Sequence, residues 1–289
     1  MVSDELFDIQ RKFSEDTLLL LRDLLPLMAP IAKYAGWSKE ERHTIGILAS
    51  AGARSSESVI LLCTYGQLWD AELPTRSAFE ATLKFSYLLQ AQGTFKERHR
   101  EYADDLRLIA LMKDHQKACE LLAALPDPEA EEWKPIRDMI MPDEQLAELR
   151  DRYPKQERNA LEQKWGFTGL IQSLSTSGDP AFSGFRGLAH GYSVSSHIAH
   201  ADYIGASIPM DRDFRHAERS KGAHLTHLAR LLSDSCTCLY LRLVVGYRFV
   251  GEDLQPISEA GRRMDELCAP FGPIYQEWLN REYAGELGD

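Results

Sequence analysis

Residues 183–203 read SGFRGLAHGYSVSSHIAHADY, and this stretch holds three of the nine histidines in the chain. Wound as an α-helix, in which each residue turns about 100° from the last, it separates into a polar face and a neighbouring aromatic face. The polar face carries Arg186, His190, Ser193, His197 and His200. The neighbouring face carries Phe185, Leu188, Tyr192, Ser196, Ala199 and Tyr203. A helix that only packs needs no imidazoles, so the stretch predicts a helical protein with a site on this helix.

Composition and charge are those of a soluble globular protein. The chain has 289 residues, of which 44% are hydrophobic and 27% charged. Its net charge of −11 argues against a large nucleic-acid footprint. The chain does not open with a signal peptide pattern, and Arg242 and Arg248 interrupt the most apolar run, residues 236–250. Five cysteines without a C-x-x-C pair indicate reduced thiols, so we expect a cytoplasmic protein that does not bind membranes.

Helical signals recur along the rest of the chain. An apolar row with a 3.6-residue period opens it, formed by Leu6, Ile9, Phe13, Leu20 and Leu24. Capping boxes at Ser38–Glu41 and Thr94–Glu97 predict two helix starts. Asp179 followed by Pro180 predicts the start of the histidine helix, and Pro209 predicts its end.

These patterns predict an all-α fold, a multi-helix bundle in a single domain over residues 1–289. The core bundle is expected at about 38–125 and 166–250. A proline-rich, highly charged segment at about 126–165 is expected to form a helical insert, and short helices are expected at about 256–285. No strand pattern or internal repeat competes with this interpretation.

Arg76 and Glu80 are four residues apart and therefore share a face of the third predicted helix. Such a pair can be an ordinary exposed ion pair, which contributes little to stability. It can also be partly buried and grip another polar side chain. Tyr192, Ser196 and His200 follow an i, i+4, i+8 line, so we expect the two helices to pack together with at least one hydrogen bond between them.

The same residues carry a resemblance to a family. Arg76-Ser77-x-x-Glu80 and the later Tyr192-x-x-x-Ser196-x-x-x-His200 resemble the pattern of an uncharacterised helical family of bacteria, one of the families described as domains of unknown function. The resemblance spans roughly residues 45 to 205, and the charged segment within it does not match. It implies a shared polar cluster of these five side chains and implies no particular reaction.

Metal binding is one interpretation of the histidine helix, because His197 and His200 have a helical chelate spacing with His190 two turns back. However, the chain has no H-E-x-x-H motif and lacks the pair of E-x-x-H motifs found in di-iron bundles. We therefore expect neither a metal nor another cofactor.

RNA cleavage is a second interpretation. Arg219 and His224 match the R-x4–6-H spacing of helical HEPN-type nucleases, although Ser220 stands where those nucleases usually have Asn, Asp or His. Histidine can serve there as general base and arginine as charge stabiliser beside a phosphodiester. RNA is expected as a partner under this alternative alone.

The leading hypothesis is a polar pocket that binds a small or phosphate-containing ligand. Its expected ligand-binding residues are Arg76, Glu80, Tyr192, Ser196, His197 and His200. Within this set, the candidates for a catalytic role are His197, His200 and Glu80. The alternatives are a HEPN-like, metal-independent ribonuclease and a helical interaction module without catalysis, in which the histidines cap and pack between helices. Enzymatic activity and a homo-oligomeric state are both left open.

Overall fold

The computed structural model describes the backbone of residues 4–213 and 217–283 and the side chains of 6–210 and 220–281. Within these ranges every regular element is helical and no strand occurs, which confirms the all-α prediction. The longer helices are α1 (Asp4–Leu24), α3 (Lys39–Thr64), α4 (Leu68–Leu88), α6 (Leu106–Ala124), α11 (Phe185–His200) and α13 (Ala217–Val250). The shorter ones are α2 (Ala29–Ala32), α5 (Gln92–Arg100), α7 (Lys134–Arg137), α8 (Asp143–Arg152), α9 (Lys155–Trp165), α10 (Phe167–Ser175), α12 (Tyr203–Asp213), α14 (Gln255–Cys268) and α15 (Phe271–Tyr283).

The described chain forms two compact units. The first comprises Met1–Gln90 and Ile171–Asp289, and the second comprises Ala91–Leu170. The second unit therefore contains α5 and α6 together with the charged segment, whereas the sequence interpretation placed residues 91–125 in the core bundle.

Polar contacts explain how α5 and α6 join the charged segment within the second unit. A π-helical turn, Glu101–Asp105, links these two helices and holds two buried acidic residues. Glu101 accepts hydrogen bonds from Lys164 Nζ at 2.7 Å and Trp165 Nε1 at 2.9 Å. The acidic side chains of this turn thus find their partners later in the same unit.

The two predicted capping boxes have different outcomes. At Ser38 the reciprocal pair forms, since its hydroxyl accepts from the Glu41 amide at 3.2 Å and the Glu41 carboxylate accepts from the Ser38 amide at 2.8 Å. The prediction at Thr94 is wrong, because α5 begins earlier, at Gln92. Thr94 therefore lies inside the first turn, where its hydroxyl donates to the carbonyl of Ala91 at 3.2 Å.

The histidine stretch is divided between two helices. α11 ends at His200, and Ala201 adopts the left-handed conformation with φ 46°. Asp202 then caps α12 by accepting from the amide of Gly205 at 2.9 Å. The prediction that Pro209 ends the histidine helix is wrong, because this proline lies inside α12.

Asp179 does act as a cap, as its carboxylate accepts from the Ala181 amide at 2.9 Å. The cap serves a short 3₁₀ turn, Pro180–Phe182, and α11 begins after it at Phe185. The cap was therefore predicted at the right residue, and the helix it was expected to start begins later.

The core of the first unit lies among α1, α3, α4 and α13. Its fully buried members include Val59, Ile60, Cys63, Leu228 and Leu231. Helix α3 is also the one described helix that is long and apolar enough to cross a membrane by length and composition. In this fold α3 packs against α1, α4 and α13.

Candidate functional site

Helix α4 carries a row of alternating charges at four-residue intervals, which lie on one side of a helix. The row consists of Glu72, Arg76, Glu80 and Lys84. Helix α11 packs directly against α4. Tyr192 donates to Glu80 Oε1 at 2.9 Å, which confirms the predicted packing and the predicted hydrogen bond between the two helices.

Arg76 is held by stacking and by two long hydrogen bonds. Its guanidinium lies over the ring of Tyr192, 4.9 Å from the ring centre. Nε lies 3.3 Å from Glu80 Oε1, and Nη1 lies 3.5 Å from Ser196 Oγ. Both distances exceed the usual 2.9–3.0 Å or so for such bonds, and a guanidinium has five N–H donors. The side chain is 26% exposed, so part of its donor capacity faces solvent.

Glu80 holds Arg76 and Tyr192 in place. It accepts from Tyr192 and Arg76, and Lys84 Nζ lies 3.8 Å from its second oxygen. Partial burial raises the pKa of Tyr192, and the Glu80 carboxylate raises it further. The phenol is therefore protonated at neutral pH and acts as the donor in this bond.

In the part of the chain that the structure describes, none of the three histidines of α11 is hydrogen-bonded to Arg76 or Glu80. His190 and His200 are exposed, and within the described chain no hydrogen bond joins His200 to Arg76 or Glu80. The inclusion of His200 in the cluster therefore stays a prediction. His197 is half-exposed, and its Nδ1 lies 2.6 Å from Asp202 Oδ2.

A second polar group, missed from the sequence, lies deeper along the same row. Glu72 is fully buried and accepts from Ser195 Oγ at 2.6 Å, from His227 Nε2 at 2.7 Å and from Arg230. Burial alone raises the pKa of Glu72. The hydrogen bond from His227 and the charge of Arg230 outweigh burial and hold it below its usual value. Glu72 is therefore ionised at neutral pH.

Arg230 links Glu72 to a second acid, since its Nη1 donates to Asp234 at 3.1 Å. Burial raises the pKa of Asp234 to about 6, with Arg230 opposing the shift and Glu72 adding to it. The imidazole of His227 also contacts the ring of Trp69, with ring centres 4.3 Å apart. This charged network connects α4, α11 and α13.

A sequence signal for the second group existed in α4 alone. Glu72 belongs to the four-residue charge row and could have been found there. His227 and Arg230 lie among the leucines of α13 that predict core packing, and nothing in the local pattern separates them from ordinary helix residues.

The pair expected for a nuclease is described in part. His224 is half-buried, and its Nε2 lies 2.6 Å from Gln10 Oε1 of α1. The Arg219 side chain lies outside the described residues. The imidazole is thus engaged with a neighbouring helix, and the nuclease role stays a prediction.

The two described groups combine cations, hydroxyls and carboxylates, an arrangement suited to binding a polar ligand. Among the described residues, no set of three or more His, Cys, Asp or Glu side chains is placed to hold a metal ion. No protein-family model matches the chain, and no curated protein or solved structure does either.

Proposed function

We propose that the face of α4 and α11 around Arg76 binds a small anionic ligand, such as a phosphate-containing compound. The observation that supports this proposal most strongly is the state of Arg76 itself. Its guanidinium is stacked on Tyr192, held by hydrogen bonds that are long, and partly open to solvent. An arginine fixed in this way can present a preorganised fork to a phosphate or carboxylate.

The surrounding side chains favour an anion. Arg76 and Lys84 contribute two positive charges, and Glu80 between them contributes one negative charge. Ser196 adds a hydroxyl beside Nη1 of Arg76. Tyr192 fixes the guanidinium plane through a cation–π contact.

Among the residues predicted for a catalytic role, His197 has a ring held by a carboxylate, that of Asp202. When Nδ1 donates to Asp202, Nε2 is the basic nitrogen, so the Asp202 contact fixes which nitrogen can act as a base. The proposal requires ligand binding alone, and it assigns no catalytic step to His197.

The cellular setting belongs to the same proposal. All five cysteines are unpaired, and three of them are buried, which supports a reducing compartment such as the cytoplasm. The resemblance to the uncharacterised bacterial family rests on the residues that form this site.

Isothermal titration calorimetry tests the proposal, with inorganic phosphate, pyrophosphate, mononucleotides and small dicarboxylates as probes. Wild type should bind at least one of them. Arg76→Lys keeps the charge but loses the fork, and Arg76→Ala loses both, so each should weaken binding by about 10–100-fold. Arg11→Ala is the matched control, because Arg11 forms an exposed pair with Glu15 at the same i, i+4 spacing.

Two results would contradict the proposal. One is the absence of binding of every probe to wild type at millimolar concentrations. The other is equal binding of a probe to wild type and Arg76→Ala, since the ligand would then not need this guanidinium.

A further inference from the structure

Arg242 of α13 is a buried cation without a counterion. Its side chain is among the largest that are fully buried, with 1% exposure, and neither Nε nor Nη1 has a hydrogen-bond partner among the described residues. No ion pair joins it to a carboxylate in the described chain. Arginine stays protonated in proteins, so a full positive charge lies in the core of the first unit.

The guanidinium of Arg242 reaches α3 at Gly52. A Cβ at this position would overlap Nη1 of Arg242, so a larger residue here would require the arginine side chain to shift. Ser56 lies one turn further along α3 on the same side. Its hydroxyl is buried and has no hydrogen-bond partner.

Helix α4 supplies a second such hydroxyl, on Ser86. The Cys238 thiol of α13 interacts with Thr82 of α4. Helices α4 and α13 run in the same direction, because His227 contacts Glu72 and, further along both helices, Cys238 contacts Thr82. Arg242 and Ser86 each lie one turn beyond that contact. Ser86 is fully buried, and its hydroxyl also lacks a partner.

The groups without partners share one chemistry. The two guanidinium nitrogens are donors, and each serine hydroxyl has a proton to donate, so what they lack is an acceptor. The nearby Cys238 thiol does not supply a negative charge, because burial raises its pKa to about 11. An isolated buried ion is costly, and hydrogen-bond donors in a core are normally satisfied.

We propose that a small monovalent inorganic anion of the chloride class binds beside the Arg242 guanidinium, where α3, α4 and α13 meet. Nε and Nη1 of Arg242 donate to this anion, and the hydroxyls of Ser56 and Ser86 complete its shell. A halide suits these donors chemically, because it accepts hydrogen bonds without donating any and neutralises the charge of Arg242. A water molecule accepts bonds too, but it also donates two and carries no charge.

Thermal unfolding of the full chain in sodium chloride and in sodium gluconate, at equal ionic strength, tests the proposal. A ligand that binds the folded state alone raises the melting temperature with the logarithm of its concentration. The melting temperature of wild type should rise with the concentration of chloride or bromide. It should not rise with the concentration of gluconate. Arg242→Met should lose the halide response, and Arg262→Met, at an exposed arginine of α14, should keep it.

Crystals grown in bromide give a second readout, an anomalous peak beside Nε and Nη1 of Arg242. If Arg242→Met does not fold, Ser56→Ala and Ser86→Ala take its place, and each should reduce the halide response. Equal melting temperatures of wild type in chloride and gluconate would overturn the proposal. So would a bromide-grown crystal in which a water molecule and no bromide lies beside Arg242.

Discussion

Glu72→Gln is the most informative single change in this protein. The side chain keeps its size and loses its charge, at a position with 0% exposure. Arg230 and His227 then lose the anion to which both are bonded. The amide also places an NH₂ group where the carboxylate had an acceptor, facing donors on three sides.

The expected cost follows from burial. Removing one partner of a buried ion pair costs about 3–5 kcal/mol, because the remaining charge is left uncompensated. For a chain of this size, that corresponds to a fall in melting temperature on the order of 10 °C. Ser195→Ala removes a single hydrogen bond to the same carboxylate, so it should cost less, about 1.5–3 kcal/mol.

Chemical denaturation followed by circular dichroism measures the global effect. Amide hydrogen exchange of peptides from α4 and α13 shows whether the loss is local to the network. The matched control is Glu80→Gln, two turns further along the same row of α4. Its carboxylate is 34% exposed, so the change should cost at most about 1 kcal/mol.

The pH dependence provides an independent check. The pKa of Glu72 lies below its usual value of 4.5, so its ionised form contributes stability above that pH. This contribution is lost as pH falls through the lower pKa of the folded state. Glu72→Gln should therefore flatten the acid limb of the plot of unfolding free energy against pH. The reasoning is refuted by a Glu72→Gln protein as stable as Glu80→Gln with an unchanged acid limb.

Three further changes test other parts of the structure. The pKa of Asp234 is raised in the folded state, so wild type should lose up to about 3 kcal/mol of stability as pH rises from about 4 to 6. Asp234→Asn should remove this pH dependence, which urea denaturation at a series of pH values measures. Gly52→Ala should destabilise the fold by about 1–3 kcal/mol, because the added Cβ would overlap Arg242. Combining it with Arg242→Ala should recover part of that loss in a double-mutant cycle. Ser38→Ala should cost about 1 kcal/mol by removing the cap of α3, and an equally stable variant would show that the reciprocal bonds with Glu41 contribute nothing.

The sequence by itself determined that the chain is helical and which faces of two helices pack together. Apolar periodicity and the Ser38 capping box depend on neighbours within a few residues, so α1 and α3 could be placed from local patterns. The spacing of Arg76 and Glu80 put both on one face for the same reason. A ridge of tyrosine and serine on α11 needed partners, and that need correctly indicated α4.

Tertiary structure alone decided which of the remaining polar residues are buried together. Glu72 meets His227 and Arg230 across more than 150 residues, and no local pattern specifies the register between α4 and α13. The register between α3 and α13 likewise brings Arg242 against Gly52. Within one helix, a leucine-rich row shows only that a face is apolar on average. Which polar residue on that face enters the core depends on the helix packed against it, and this is settled only when the long-range contacts form.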